Sequence, residues 1–264
     1  MQRQVPSCRD FRRGFTLVEL LVVVGIIAVL IAILMPALSK AREQANRVKC
    51  AANLRSIGQA MVMYTQQYRY YPSAALSGGA EPAAWVPRLR PLLGASKDVF
   101  LCPSRDDSFR WSDAGPYPVM FAAGRYLDVG YEPGEPMLHL TAYFSYGYNC
   151  GTDGYHPQRG LGMATSGGPL RGDEYTELPA SKVRQPDDMI AVADSNGDGL
   201  GDYRINPGPD APVLWPGTVH AGGANVLFCD GHVSWYKQKD LLIRFPRPDE
   251  DVPKMRMWSN DHRD

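Results

Sequence analysis

The sequence predicts an α+β protein: a long N-terminal helix, apolar in its first half and amphipathic in its second, packed on a mainly antiparallel β-sheet head. Three observations predict it. Residues 15–35 are almost wholly apolar. Residues 38–70 contain no proline and carry an apolar stripe at helical spacing. After residue 71 the texture changes, because most of the 26 glycines and 22 prolines fall there and punctuate short apolar or aromatic runs.

The apolar segment comes first. Between residues 15 and 38 the single charge is Glu19, and residues 20–35 include no polar side chain. As a helix rising about 1.5 Å per residue, residues 15–35 cover roughly 32 Å, close to the hydrocarbon thickness of a bilayer. Three readings compete. A secretory signal peptide would have a shorter apolar core and a small-residue cleavage site, for which Ala37-Leu38-Ser39-Lys40-Ala41 is a weak candidate. A plain membrane anchor accounts for the length and for the basic flank Arg9, Arg12 and Arg13, but leaves a costly carboxylate in an apolar helix. The third reading supplies Glu19 with a partner: a cut between Gly14 and Phe15 creates an α-amino group one helical turn from Glu19. The same amine on a neighbouring chain would fix the stagger of packed helices.

The residues that carry this reading also carry a resemblance. "RRGFTLVELLVVVGIIAVLIAILMPAL" resembles the class III signal and first helix of type IV prepilins and type II secretion pseudopilins. The resemblance implies cleavage after Gly14 by a prepilin peptidase and methylation of Phe15. It assigns Glu19 and the helix-kinking Pro36 to assembly with other pilin or pseudopilin subunits. It divides the chain into a leader (1–14), a transmembrane assembly helix (15–36), an amphipathic helix (37–71) and a globular β-rich head (72–264). It also implies a single-pass inner-membrane protein with its C-terminal head outside the cytoplasm, entering a fibre in the periplasm or at the cell surface.

On the amphipathic helix, Cys50, Leu54, Ile57, Met61, Tyr64 and Tyr68 form the stripe expected to lie on the sheet, with Gly58 off it. Tyr71-Pro72 is expected to end the helix. In the head, residues 99–102, 141–148, 189–193, 225–229 and 232–236 read as strands. Asp230-Gly231 fits a two-residue type I′ hairpin turn, which would put Val226, Phe228, Val233 and Trp235 on one face against the helix.

That hairpin carries a second resemblance. "HAGGANVLFCDGHVSW" is similar to the H-x9-DG motif near the C-terminus of prepilin-type proteins of planctomycete-like bacteria, with His220, Asp230 and Gly231 in the named positions. "CAANLRSIGQAMVMY", "FLCPS" and "SYGYN" resemble that group's recurring segments. The resemblance assigns the motif no role.

Charge and motif content narrow the function. With 28 basic and 28 acidic side chains the net charge is zero, so nothing electrostatic favours nucleic acid or anionic lipid. No nucleophile elbow, zincin helix, P-loop or dinucleotide fingerprint occurs, so an enzyme is not expected. The rival reading is a membrane-anchored extracytoplasmic binding or enzymatic domain that does not polymerise.

The five cysteines, Cys8, Cys50, Cys102, Cys150 and Cys229, include no C-x-x-C pair. Without Cys8, four remain, open either to disulfides or to buried free thiols. His220, Cys229 and His232 include zinc-ligand types but lack a fourth ligand nearby. The run Asp194 to Asp202 spaces oxygens like the first half of a calcium loop, with Asp194, Asn196 and Asp198 as side-chain ligands and Asp202 through water. The twelfth position is Ile205 rather than glutamate, and a plain Gly/Asp turn explains the run equally well. Bound calcium in a C-terminal loop is also a feature of the major pseudopilins this chain resembles.

Overall fold

The computed structural model describes residues 16–74, 85–110, 144–149, 160–161, 177–197, 202, 204–208, 212–243 and 256–259. The chain divides into two compact units, Met1–Arg42 and Glu43–Asp264. Helix α1 (Leu17–Tyr68) begins in the first and ends in the second.

In the first unit, α1 starts on a capping box. Thr16 precedes the helix, and its backbone N–H and hydroxyl donate to Glu19 Oε2 at 2.9 and 2.8 Å. The Glu19 N–H returns a bond to Thr16 Oγ1 at 3.3 Å. This reciprocal pairing satisfies helix N–H groups that have no partner within the helix. The apolar side chains beyond it are exposed, from Leu17 (78%) to Leu38 (70%), and the helix is long and apolar enough to cross a membrane. Pro36 lies inside α1.

In the second unit the expected stripe is the buried face. Cys50, Leu54, Ile57, Met61 and Tyr64 are buried, joined by Ala60 and Gly58. Gly58, expected off the stripe, packs closely on the hairpin: a Cβ there would stand 2.6 Å from Leu227 Cδ1 and 3.2 Å from Gly231 Cα. The helix ends at Tyr68, where Arg69 turns left-handed (φ 66°) and its N–H donates to the Thr65 carbonyl. The departing strand-like segment then bonds to residues 178–180, through Tyr71 N–H to Leu178 O at 2.8 Å and Ala180 N–H to Arg69 O at 2.9 Å.

Beyond α1 come the short helix α2 (Trp85–Leu89) and strands β1 (Tyr146–Asn149), β2 (Ile190–Asp194), β3 (Arg204–Ile205), β4 (Gly223–Phe228) and β5 (Val233–Lys237), then helix α3 (Gln238–Leu241). The sheet order is β3-β1-β2-β4-β5. All pairs are antiparallel except β1 with β3, so the sheet is mixed. The expected strand at residues 99–102 is instead a 3-10 turn at Asp98–Phe100, whose N–H groups are satisfied locally by Phe100 N–H to Lys97 O and Leu101 N–H to Asp98 O. Phe100 and Cys102 are both buried, so the alternation is real but marks a turn pinned to the core. Of the strand expected at 141–148, residues 141–143 lie outside the described residues.

The β4–β5 hairpin forms, with its register shifted by one residue from the expectation. Leu227 pairs with Val233 and Asn225 with Trp235. Gly231 (φ 96°) is a bulge residue: its N–H donates to Phe228 O, and Phe228 N–H donates to His232 O at 2.9 Å. A one-residue slip in pairing turns the side chains of β4 over relative to those of β5. Val233 stays on the helix side as expected, and Leu227 and Cys229 meet it there. Val226 and Phe228 instead join a second core with Ile190, Ala193, Ile205, Leu241 and Trp258. β2 serves both cores, with Ala191 and Val192 in the first and Ile190 and Ala193 in the second, and its register breaks between Ile190 and Val192.

Candidate functional site

Four separate segments deliver one cluster to the interior. Cys50 comes from the helix stripe, and Cys102 follows the 3-10 turn. Asp194 ends β2 opposite Tyr146, and His220 precedes β4. His220 is held by a two-residue reversal. Its N–H and carbonyl both bond to Gly223, while Ala221 (φ 54°) and Gly222 (φ 79°) take the positive φ values that a type I′ turn needs. Trp235 Nε1–H donates to the His220 carbonyl at 3.0 Å.

All four side chains are buried, and one donor atom from each lies within 4.8 Å of the others. The Cys50 thiol donates to Asp194 Oδ1 at 3.0 Å. Cys102 Sγ lies 3.4 Å from His220 Nε2, and Asp194 Oδ2 lies 3.6 Å from the same nitrogen. Around them, Asn225 N–H donates to Asp194 Oδ2 at 2.7 Å and the Tyr146 hydroxyl donates to Cys50 Sγ at 3.4 Å. Asn53 Nδ2 donates to the Leu101 carbonyl and holds the segment carrying Cys102 against α1.

The electrostatics follow from this crowding. The Cys102 thiol is pulled down to about 5 by hydrogen bonding with Cys50, and then by His220, against the opposing effect of burial. Burial pushes the Asp194 carboxyl up to about 7, helped by the charge of Cys102. Burial also raises the Cys50 thiol well above its usual range. For His220, burial disfavours the cation, but contact with Cys102 and the charge of Asp194 outweigh it and raise its basicity.

The cluster regroups the residues singled out in the sequence. His220 meets Cys50 and Cys102, whereas Cys229 and His232 lie elsewhere. Cys229 is buried and its N–H donates to Met189 O, while the exposed His232 stacks on Phe228 and bonds Asp230 Oδ1 through Nδ1 at 2.7 Å. Cys50, Cys102 and Cys229 are free thiols, and Cys150 lies outside the described residues.

Of the residues considered for calcium, Asp194 directs its oxygens to the Cys50 thiol, the His220 imidazole and the Asn225 amide. Arg105 Nη2 donates to the carbonyls of Ser195 and Asn196 at 2.7 and 3.1 Å, a fixed positive charge that opposes a second cation there. Asp202 Oδ1 accepts from Gly197 N–H at 3.0 Å, and Asp198 lies outside the described residues.

At the other end of the chain, Gly14 and Phe15 also lie outside the described residues, next to the Thr16–Glu19 capping box. The sequence signal for that box is T-x-x-E before an apolar run.

Comparison with known proteins bears on this N-terminal end. Residues 9–35 match the prokaryotic N-terminal methylation motif, and residues 39–97 match the family described as a protein of unknown function, DUF1559. The type II secretion system core protein G of Escherichia coli (strain K12) is 35% identical over 83 residues, which are 31% of this chain and 56% of that protein. The corresponding core protein of Pectobacterium carotovorum subsp. carotovorum is 39% identical over 62 residues, 24% of this chain and 40% of that protein. The type IV wide pilus major component PilA4 of Thermus thermophilus is 43% identical over 61 residues, 23% of this chain and 47% of that protein. The chain is thus homologous to pseudopilin and pilin subunits, and spans about half the length of these curated relatives. No solved structure matches it.

Proposed function

We propose that this protein is a structural subunit of a type IV pilus-like or type II secretion pseudopilus fibre. A prepilin peptidase cuts after Gly14 and methylates Phe15, and the freed helices bundle with apolar faces inward while the head stays outside the cytoplasm. The observation that carries the reading is the match of residues 9–35 to the methylation motif, together with the helix that starts within it at Leu17 and whose apolar side chains are exposed in the single chain. Such a surface needs lipid before assembly and neighbouring helices after it.

Glu19 fits the same sequence of events. Its carboxylate is turned toward the start of the helix, on Thr16 N–H at 2.9 Å. Phe15 is the residue before Thr16, so a cut after Gly14 releases an ammonium group close to that carboxylate. In hydrocarbon, an ion pair with this amine, within the chain or from a neighbour, offsets the cost of the buried charge.

The test is the mass of the mature N-terminus in cells with active peptidase. Loss of residues 1–14 and a methyl group on Phe15 are expected. An intact leader would overturn the processing step.

A further inference from the structure

We infer that Cys50, Cys102, Asp194 and His220 form a structural zinc site inside the head. The direction of the contacts separates this from catalysis. In a catalytic Cys-His-Asp series the thiol and the carboxylate bind opposite nitrogens of the ring, so that a proton can pass along the line. Here both Cys102 Sγ (3.4 Å) and Asp194 Oδ2 (3.6 Å) approach the same nitrogen, Nε2. Among the described residues, His220 Nδ1 is buried and has no hydrogen-bond partner. The groups converge on a common point instead of forming a relay.

Convergence of this kind is what a tetrahedral cation requires. Zinc bonds of about 2.0–2.3 Å place neighbouring ligand atoms about 3.3–3.8 Å apart. The Cys102 Sγ–His220 Nε2 and His220 Nε2–Asp194 Oδ2 separations of 3.4 and 3.6 Å fall in that range. Cys50 Sγ lies 3.0 Å from the other carboxylate oxygen, Oδ1, and one ligand atom from each of the four side chains lies within 4.8 Å of the rest, so a small adjustment closes the set on one ion. Two thiolates with an imidazole and one carboxylate oxygen suit a borderline-soft divalent ion, whereas calcium requires an all-oxygen shell. Each of the four side chains is 0% exposed, which fits a closed structural centre and not a catalytic one with a position open to substrate.

The outer partners suit an anionic ligand set. Asn225 N–H bonds the Asp194 carboxylate, and the Tyr146 hydroxyl bonds Cys50 Sγ. Zinc entry releases to solvent whatever protons the Cys50 and Cys102 thiols, the Asp194 carboxyl and His220 Nε2 hold. With a neutral His220, the filled site carries one net negative charge, shared among these donors.

The site gives the H-x9-DG segment a physical role. His220 ligates at one end of β4, while Asp230-Gly231 makes the bulged turn at the other, against which Gly58 packs. Zinc would thus join α1, the Cys102 segment, β2 and the entrance to β4.

The experiment is metal analysis of the full-length protein in detergent, purified without added metal, followed by cobalt exchange. The expected result is about one zinc per chain, and a cobalt form with tetrahedral bands and thiolate charge transfer. Cys50→Ser should weaken the charge-transfer band, His220→Cys should retain the metal and strengthen it, and Cys229→Ser, a buried thiol outside the cluster, should leave it unchanged. Wild-type protein without stoichiometric metal, a Cys50–Cys102 disulfide found by alkylation and mass mapping, or cobalt bound without thiolate bands would each overturn the inference.

Discussion

Gly58 of α1 packs against Leu227 of β4 so closely that a single added methyl group would stand 2.6 Å from the leucine Cδ1. Helix propensity alone favours alanine over glycine by about 1 kcal/mol. Overpacking a close contact costs about 1–3 kcal/mol. Packing should win, because the added carbon would also stand 3.2 and 3.3 Å from Gly231 Cα and O, backbone atoms that cannot swing aside as a side-chain end can. Gly58→Ala is therefore expected to lower stability by on the order of 1 kcal/mol, read as a fall in urea midpoint with unchanged slope.

The bulge makes a related prediction at Gly231, whose φ of 96° is unfavourable for any side chain. Gly231→Ala should cost on the order of 1–2 kcal/mol by backbone strain. Asp230→Ala should cost less, about 1 kcal/mol, by removing the acceptor of His232 N–H at 3.0 Å. Thermal melts of the two variants beside wild type would test the order.

Zinc affinity should rise with pH. Asp194 holds its proton up to about 7, and Cys50 holds its thiol proton above the ordinary range. A metal that binds their deprotonated forms must displace those protons, so lowering the pH weakens binding and raising it strengthens binding. Each displaced proton contributes about tenfold in apparent affinity per pH unit below the relevant pKa. Competition with a chromophoric chelator at a series of pH values measures the slope, and a pH-independent affinity would contradict the ligand set.

Asp194 also separates the two metals considered for this chain. Asp194→Asn should abolish zinc retention. Any calcium response from the loop containing Asn196, Asp198 and Asp202 should be unaffected, because Asp194 is engaged elsewhere. Thermal shifts with calcium, zinc and matched chelators on both proteins distinguish the cases.

At the N-terminus, capping and charge can be tested apart. Glutamine can replace glutamate in a capping box but cannot form an ion pair. Glu19→Gln is thus expected to keep the helix start and peptidase cleavage, yet to remove the protein from sheared or cross-linked filaments. Normal incorporation of Glu19→Gln would reduce Glu19 to a helix cap.

Much of the architecture is legible in the sequence because it depends on local periodicity. The stripe from Cys50 to Tyr64 follows from spacings of three and four, and the β4–β5 hairpin from alternation around Asp230-Gly231. The register is less accessible. The same Asp-Gly pair supports either a two-residue turn or a bulged one, and the choice decides whether Phe228 or Leu227 faces the helix. The run at 99–102 misleads for a similar reason, since four residues with alternate burial do not distinguish a strand from a pinned turn.

The sequence by itself determined the long apolar helix, its methylation motif, the position of Glu19 and the α+β character of the head. Each is encoded within a few helical turns or one hairpin, where neighbours in the chain are neighbours in space. Tertiary structure alone decided that Cys50, Cys102, Asp194 and His220 share one interior, because the closing contacts span 144 residues between Cys50 and Asp194 and 118 between Cys102 and His220. Spacing within the chain carries no signal of such a meeting. It required the helix to settle on the sheet and the reversal at Ala221-Gly222 to aim His220 inward.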